Sequence, residues 1–317
     1  MQGRGKGRIH MKPIVILGIF VADTAYRAER QPRLGETVLG QGFALGPGGK
    51  GSNQAVAAAM AGGTVHFITR LGRDDFAAMA RTIWDRAGVR PDVTEDPDSY
   101  TGAAFIFLEA GTGNNAIIVA PGAAARITAA DVEARAGLIR GASAFVTQLE
   151  QPVEAALRGL RIAREAGVTT ILNPAPAAEL PDGMLALCDY LTPNETEAAM
   201  LTGIPVTGPS SAGKAADALL ARGVGAVVVT LGADGALYRD AARSVHVPAI
   251  SAGPVVETTG AGDAFNGGFA VALSEGCGVI EAVRFGCAAA GISVTRPGTA
   301  AAMPARAEIE ALLARSR

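Results

Sequence analysis

The 317-residue chain predicts an α/β fold: a central, mostly parallel sheet flanked by helices, with a small β-sheet projecting from it. Three observations carry that expectation. Short apolar, β-branched runs alternate with alanine-rich helical stretches, and apolar strands joined through helices make a parallel sheet covered on both faces. Apolar residues are 49% of the chain and charged residues 18%, the balance of a globular protein with a large core. Two segments break the alternation and carry strands with no helix between them.

The strand candidates are Ile14–Leu17, Val65–Thr69, Ala144–Thr147, Thr169–Leu172, Tyr190–Leu191 and Ala226–Thr230. The helix candidates are Asn53–Ala61, Asp75–Ala87, Val153–Glu165, Glu195–Leu201 and Ala212–Ala221, and the chain from about Ala264 reads mainly as helix. The pattern breaks at about Tyr26–Leu45 and at Thr101–Pro121. In the second segment, Ala103–Leu108 and Asn115–Val119 flank the glycine-rich turn Glu109-Ala110-Gly111-Thr112-Gly113-Asn114, a hairpin signature. The two segments predict one small sheet. A lid over a cleft is its functional reading; an edge extension of the main sheet is the alternative. Residues 12–317 are expected to form one domain. Residues 1–11 read as a disordered leader, with Met11 a candidate start. The basic start before Ile14–Ala22 has the outline of a signal peptide, but a buried first strand ended by Gly18 is preferred, because a ligand-binding segment follows at Asp23.

The formal net charge of −2 provides no basic field for nucleic acid or anionic lipid, so neither is an expected partner. Cys188, Cys277 and Cys287 are odd in number and lack a Cys-x-x-Cys spacing. That argues against a disulfide framework and for a reducing, cytoplasmic setting. His10, His66 and His246 form no metal motif, and no apolar run approaches the ~20 residues of a membrane span.

The richest string is Glu257-Thr258-Thr259-Gly260-Ala261-Gly262-Asp263-Ala264-Phe265-Asn266-Gly267-Gly268. Phe265, Phe269 and Leu273 then recur at helical spacing, so a helix starts here. A helix N-terminus offers free N–H groups and partial positive charge, and two glycines let an anion come close. Asp263 would repel phosphate, so it needs another task. A general base on an attacking hydroxyl supplies one, while the amides hold phosphoryl oxygens. A glycine turn completed by an aspartate at the helix start is the bland alternative.

A second loop, Gly46-Pro47-Gly48-Gly49-Lys50-Gly51-Ser52-Asn53, precedes a helix. Gly46, Gly48 and Gly51 match the dinucleotide spacing, but no first βα unit precedes them and Lys50 departs from the usual turn. The loop reads as binding a polyhydroxylated substrate, with Lys50 and Asn53 as polar ends. Gly208-Pro209-Ser210-Ser211-Ala212-Gly213-Lys214-Ala215 nearly matches a P-loop; Ala215 stands where Mg²⁺ needs Ser or Thr, so the match reads as chance. Asn194 and Glu197 could organise Mg²⁺ through waters or form a helix capping box, and spacing alone prefers the capping box. Thr230-Leu231-Gly232-Ala233-Asp234-Gly235 closes a strand at the edge of the sheet where ligands bind.

Together these strings resemble the ribokinase branch of the PfkB carbohydrate and nucleoside kinases, from about Ile14 to Pro304. The signatures are Gly48–Ala57 and Glu257–Gly267, supported by Gln148-Leu149-Glu150, Asn173-Pro174-Ala175-Pro176-Ala177 and Thr192–Glu197. The resemblance implies ATP-dependent transfer to the primary hydroxyl of a pentose, most readily ribose, by an α/β domain whose β lid is shared across a homodimer. It makes Asp263 the base, and Gly260, Ala261 and Gly262 the anion hole. Asp23, Gly49, Lys50, Gly51, Asn53 and Glu150, with Asp263, would hold the sugar. Asn194, Gly262, Cys287 and the residues Thr230, Leu231, Gly232, Ala233, Asp234 and Gly235 would face ATP. The resemblance turns Glu197 towards Mg²⁺. It sets a potassium site at Glu257, Thr259, Ser293, Arg296, Gly298 and Ala302.

Three positions depart from the pattern. Val21 stands where asparagine is usual, Glu257 where aspartate is usual, and Ala302 where serine is common. The first bears on the sugar and the others on the ion. The competing readings are a kinase for 2-deoxyribose, a nucleoside or another sugar, and a catalytically silent sugar- or nucleotide-binding regulator. The intact Gly260-Ala261-Gly262-Asp263 speaks against the regulator, because a pure binder needs no base.

Overall fold

A computed structural model describes residues 12–112 and 114–316. The expectations for residues 1–11 and for Gly113 of the hairpin turn lie outside the described residues. In chain order the strands are β1 (Ile14–Leu17), β2 (Val21–Ala28), β3 (Gly42–Gly48), β4 (Val65–Leu71), β5 (Arg90–Glu95), β6 (Thr101–Glu109), β7 (Asn115–Gly122), β8 (Ala144–Thr147), β9 (Thr169–Leu172), β10 (Tyr190–Leu191), β11 (Ala226–Thr230), β12 (Ala236–Asp240) and β13 (Ser244–Val247). The helices are α1 (Lys50–Met60), α2 (Asp75–Ala87), α3 (Ala129–Glu133), α4 (Ala136–Arg140), α5 (Val153–Glu165), α6 (Glu195–Thr202), α7 (Pro209–Leu220), α8 (Ala261–Ser274), α9 (Val279–Ser293) and α10 (Arg306–Arg315).

The main sheet has nine strands in the order β13-β12-β11-β10-β9-β8-β1-β4-β5. From β11 to β5 every pairing is parallel, and β12 and β13 add antiparallel strands at one edge. Alternation along β1 shows why both faces are apolar. Ile14 and Ile16 pack with Ala55 of α1, Phe269 of α8 and Val283 of α9. Val15 and Leu17 pack on the opposite face with Leu160 of α5 and Leu219 of α7. Each fully buried side chain of this size contributes about 1.5–3 kcal/mol.

The second sheet has four strands in the order β3-β2-β6-β7. It starts at Val21, earlier than the Tyr26 expected. β2 is an inner strand, paired antiparallel with β3 and parallel with β6, so its neighbours set its length. Other boundaries moved for local reasons. Helix α1 begins at Lys50 rather than Asn53, because Gly49 takes the N-cap position. Helix α7 begins at Pro209, a residue pre-set for a first helical turn. That places Lys214, the P-loop look-alike, in mid-helix and exposed, away from any glycine loop. Strands β5, β12 and β13 were not anticipated; β5 and β13 are half-exposed edge strands without a continuous apolar run, and the inner strand β12 has only the short buried run Ala236–Tyr238.

Candidate active site

Two helix starts meet at the centre of the molecule. Gly49 caps α1 with φ 88°, and a Cβ there would sit 2.5 Å from the carbonyl oxygen of Ile19, so the turn requires glycine twice over. Helix α8 starts at Gly260, whose φ of 80° turns the chain in the left-handed region. Close approach of the two helices is set by Gly267, where a Cβ would lie 2.5 Å from the Ala57 methyl. That contact brings Asp263, in the first turn of α8, against Asn53 and Gln54 in the first turns of α1.

Asp263 is 7% exposed. Its Oδ2 accepts from Asn53 Nδ2 at 3.1 Å and its Oδ1 accepts from Gln54 Nε2 at 3.1 Å. Burial pushes its pKa up, while Lys50 and these two amides pull the other way. No side chain caps α8. In the first turn of α8 the Ala261 N–H donates to the Thr258 carbonyl at 3.2 Å, while the N–H groups of Gly262 and Asp263 have no partner among the described residues. An anion could therefore be held at that end by the backbone.

Around this pair lies a cluster of acidic groups and one lysine. The Lys50 N–H donates to Glu150 Oε2 at 2.7 Å. Burial opposes charge on the Lys50 ammonium, but the carboxylates of Asp263, Glu150 and Glu197 outweigh it and hold its pKa above the usual value. Burial raises Glu150 to about 7; the Lys50 charge and N–H oppose this, and Asp263 and Asp23 add to it. Asp23 lies on β2 with its carboxylate against Gly48, where any Cβ would clash. Burial and then the charge of Asp263 raise it to about 6. Gly51, by contrast, has a packing role: a Cβ there would be 2.6 Å from Gly18 Cα.

Asn194 and Glu197 form a full capping box on α6. Asn194 Oδ1 accepts the Glu197 N–H at 2.8 Å, and Glu197 Oε2 accepts the Asn194 N–H at 2.8 Å. Glu197 is buried with its pKa raised, chiefly by desolvation. Among the described residues no group of three or more His, Cys, Asp or Glu could hold a metal directly. A single carboxylate suits Mg²⁺ that keeps waters and phosphate oxygens as its other ligands.

Thr230 ends β11 beside Asn194, its N–H donating to the Pro193 carbonyl at 2.9 Å. In the following turn Gly232, Ala233 and Asp234 are exposed. Leu231 is core, and Gly235 is a packing position, since its Cβ would lie 2.1 Å from the Val247 carbonyl oxygen. Cys287 is buried in α9, and burial pushes its thiol to about 12.

The C-terminal loop folds onto Glu257, whose Oε2 accepts the Gly298 N–H at 2.8 Å. Thr259 is exposed, Ser293 Oγ donates within its own helix to the Ala290 carbonyl, and the Arg296 guanidinium pairs with Glu308. Ala302 is core. Thr299 Oγ1 donates to the Pro47 carbonyl at 2.7 Å, tying this loop to the end of β3.

Sequence reading overlooked a buried amide chain behind Asp263. Gln148 Nε2 donates to Gln54 Oε1 at 2.6 Å, and Gln54 Nε2 donates to Asn173 Oδ1 at 3.1 Å as well as to Asp263. A signal was present: adjacent Asn53 and Gln54 interrupt an otherwise small, apolar helix.

Residues 11–306 match the pfkB family of carbohydrate kinases. The chain belongs to that family. It is 38% identical to the ribokinase of Haemophilus influenzae over 298 residues, covering 94% of this chain and 97% of the relative. It is 34% identical to the deoxyribokinase of Salmonella typhi, covering 92% of this chain and 95% of that one. The structure of Arabidopsis thaliana ribokinase complexed with ribose and ATP superposes with a TM-score of 0.90 at 33% identity, covering 95% of this chain and 98% of that chain. In this carbohydrate kinase, the two signature strings are the two helix starts that meet at Asp263.

Proposed function

We propose that the protein transfers the γ-phosphoryl group of ATP to the primary hydroxyl of ribose, forming ribose 5-phosphate and ADP. One observation carries the reading: a buried carboxylate, Asp263, stands in the first turn of α8 beside the unpartnered N–H groups of Gly262 and itself. The carboxylate takes the proton of the attacking hydroxyl. The new O–P bond forms as the bond to the bridging oxygen of ADP breaks, and the backbone N–H groups receive the charge on the phosphoryl oxygens. Gly260 and Ala261 shape that turn.

In this proposal Asp23, Gly49, Lys50, Gly51, Asn53 and Glu150 bind and orient the sugar, several of them by shaping the backbone. Asn194, the Thr230–Gly235 turn and the α9 segment at Cys287 line the nucleotide side. Glu197 would hold Mg²⁺ through water, and the ion, when bound, would neutralise the polyphosphate. Potassium at the Glu257–Gly298 loop and a cytoplasmic location belong to the same proposal. So does a homodimer through the small sheet. One face of that sheet exposes Tyr26, Phe43, Leu45, Phe105 and Ile118, while Asp23 lies on the other. An apolar face of this kind calls for a cover, and a second copy provides it symmetrically. The sheet then closes over the sugar and excludes water, which limits ATP hydrolysis.

A second reading, phosphorylation of 2-deoxyribose, is favoured by Val21, which can offer no hydrogen bond and is 4% exposed. Coupled ADP-release assays over a panel of pentoses, deoxypentoses and nucleosides test both. Ribose as the substrate with the highest kcat/KM supports the first reading; a preferred nucleoside rejects both.

A further inference from the structure

Resting on the reading of Asp263 as base, we infer that Gln54 is a positioning residue that aims Asp263 and holds its carboxylate ionised, with its own amide orientation locked by Asn173 and Gln148. The polarity of the chain can be followed from its far end. The backbone carbonyl of Thr192 can only accept, so Asn173 must present its Nδ2 there, at 2.9 Å. That leaves Asn173 Oδ1 facing Gln54, which must answer with its NH₂ group, at 3.1 Å. The second hydrogen of the same NH₂ reaches Asp263 Oδ1 at 3.1 Å. Gln148 closes the arrangement by donating to Gln54 Oε1 at 2.6 Å, which satisfies the one acceptor a flipped amide would turn towards the carboxylate.

Every member is buried: Gln54 and Gln148 are 0% exposed and Asn173 is 7% exposed. Water does not compete for these groups, so the amide has one orientation and Asp263 meets a donor rather than an oxygen. Donors to a carboxylate favour its charged form, so Gln54 and Asn53 join the Lys50 ammonium in opposing the rise that burial imposes on Asp263, in a cluster that also holds Asp23, Glu150 and Glu197. Gln54 reaches Asp263 from α1 and Asn53 reaches it from the same helix, so both carboxylate oxygens are fixed from one side. The remaining lone pairs are thereby held in one direction for the substrate hydroxyl.

The test is a pH profile of kcat and kcat/KM for ribose phosphorylation in the wild type, Gln54→Met, Gln148→Met and Asp263→Asn. Methionine keeps length and volume but removes the amide. In Gln54→Met the acid limb shifts up by about one pH unit. Its kcat falls about 10- to 100-fold, with KM for ribose within about twofold. Gln148→Met shifts the same limb in the same direction by less, and it decides the matter if Gln54→Met does not fold. An acid limb coincident with wild type in the folded variants, or a loss seen in KM with kcat kept, overturns the assignment. Asp263→Asn separates the two layers: if it stays active the base reading itself fails. If it is inactive while the Gln54→Met limb is unmoved, the role of Gln54 alone fails.

Discussion

The side-chain amide of Asn53 donates to Oδ2 of Asp263 at 3.1 Å, across 210 residues of chain. The bond joins the starts of α1 and α8 and fixes the proposed base against the proposed sugar loop. In Asp263→Asn the new amide keeps the size but offers one acceptor where two donors point, and it cannot take a proton. General-base contributions are about 10²–10⁴-fold, so kcat should fall at least that far while ATP affinity, read by calorimetry, is kept. Near-normal turnover would reject the mechanism.

Asp23 ties stability to pH. Its folded pKa is raised to about 6, by burial first and by Asp263 second. A raised pKa means the folded state binds the proton more readily, so the stability it contributes is full below the ordinary value of 3.8 and is lost as pH rises through about 6. Asp23→Asn should therefore raise the Tm of the ligand-free protein at pH 8, by about 1–2 kcal/mol of stability after solvent screening, and the gain should vanish near pH 4. The same variant should raise KM for ribose. Equal melting at pH 8 would contradict the account.

The outward face of the small sheet should govern assembly. Tyr26 packs on Phe43 with ring centroids 5.1 Å apart, yet Phe43 remains 60% exposed and Ile118 66% exposed. Phe43→Asp or Ile118→Asp should shift the sedimentation coefficient from dimer to monomer and lower kcat without changing the fold seen by circular dichroism. A fully active wild-type monomer at micromolar concentration would remove the shared sheet from the proposal.

Cations are expected to act at two places. EDTA should abolish turnover, and Glu197→Gln should weaken Mg²⁺-dependent ATP binding by about 10- to 100-fold in calorimetry. Potassium should stimulate, because the segment from Ser293 to Ala302 folds onto Glu257 beside the proposed anion-binding turn. Equal rates in potassium and in tetramethylammonium at matched ionic strength would eliminate the monovalent site.

Val21 bears on the choice of sugar. It pairs with Gly48 in the register of β2 and β3, two residues before Asp23, and packs closely on Gly102. A ribose hydroxyl placed against valine loses a hydrogen bond, at about 1–3 kcal/mol. Val21→Asn should raise kcat/KM for ribose relative to 2-deoxyribose by about tenfold, the lower end of that range. An unchanged ratio would show that Val21 does not set the preference.

The main sheet was legible in the sequence because buried parallel strands write themselves as short apolar runs. Ile14–Leu17 and Ala144–Thr147 appear with their boundaries unchanged, and so do helices Asp75–Ala87 and Val153–Glu165. Turn chemistry also carries locally, so Gly260–Asp263 announced a helix start able to take an anion. The strands β5 and β13 were not legible, since edge strands pair through backbone groups that leave little pattern in side chains, and the inner strand β12 was missed beside them.

What the sequence alone determined is therefore local: the layers, the two glycine-rich helix starts, and the residue types at each. What the tertiary structure decided is which of these meet. Gln54 looked like one more residue of an alanine-rich helix until the packing of Gly267 on Ala57, too close to admit a Cβ, set α8 against α1 and put a carboxylate in its reach. The Asn194–Glu197 pair remained a capping box, and Gly51 and Gly235 proved to be sites of close packing. Partners so far apart in sequence carry no local signal, because the energy that selects them comes from burial, where an unpaired amide or carboxylate is costly and only a neighbour from another segment can satisfy it.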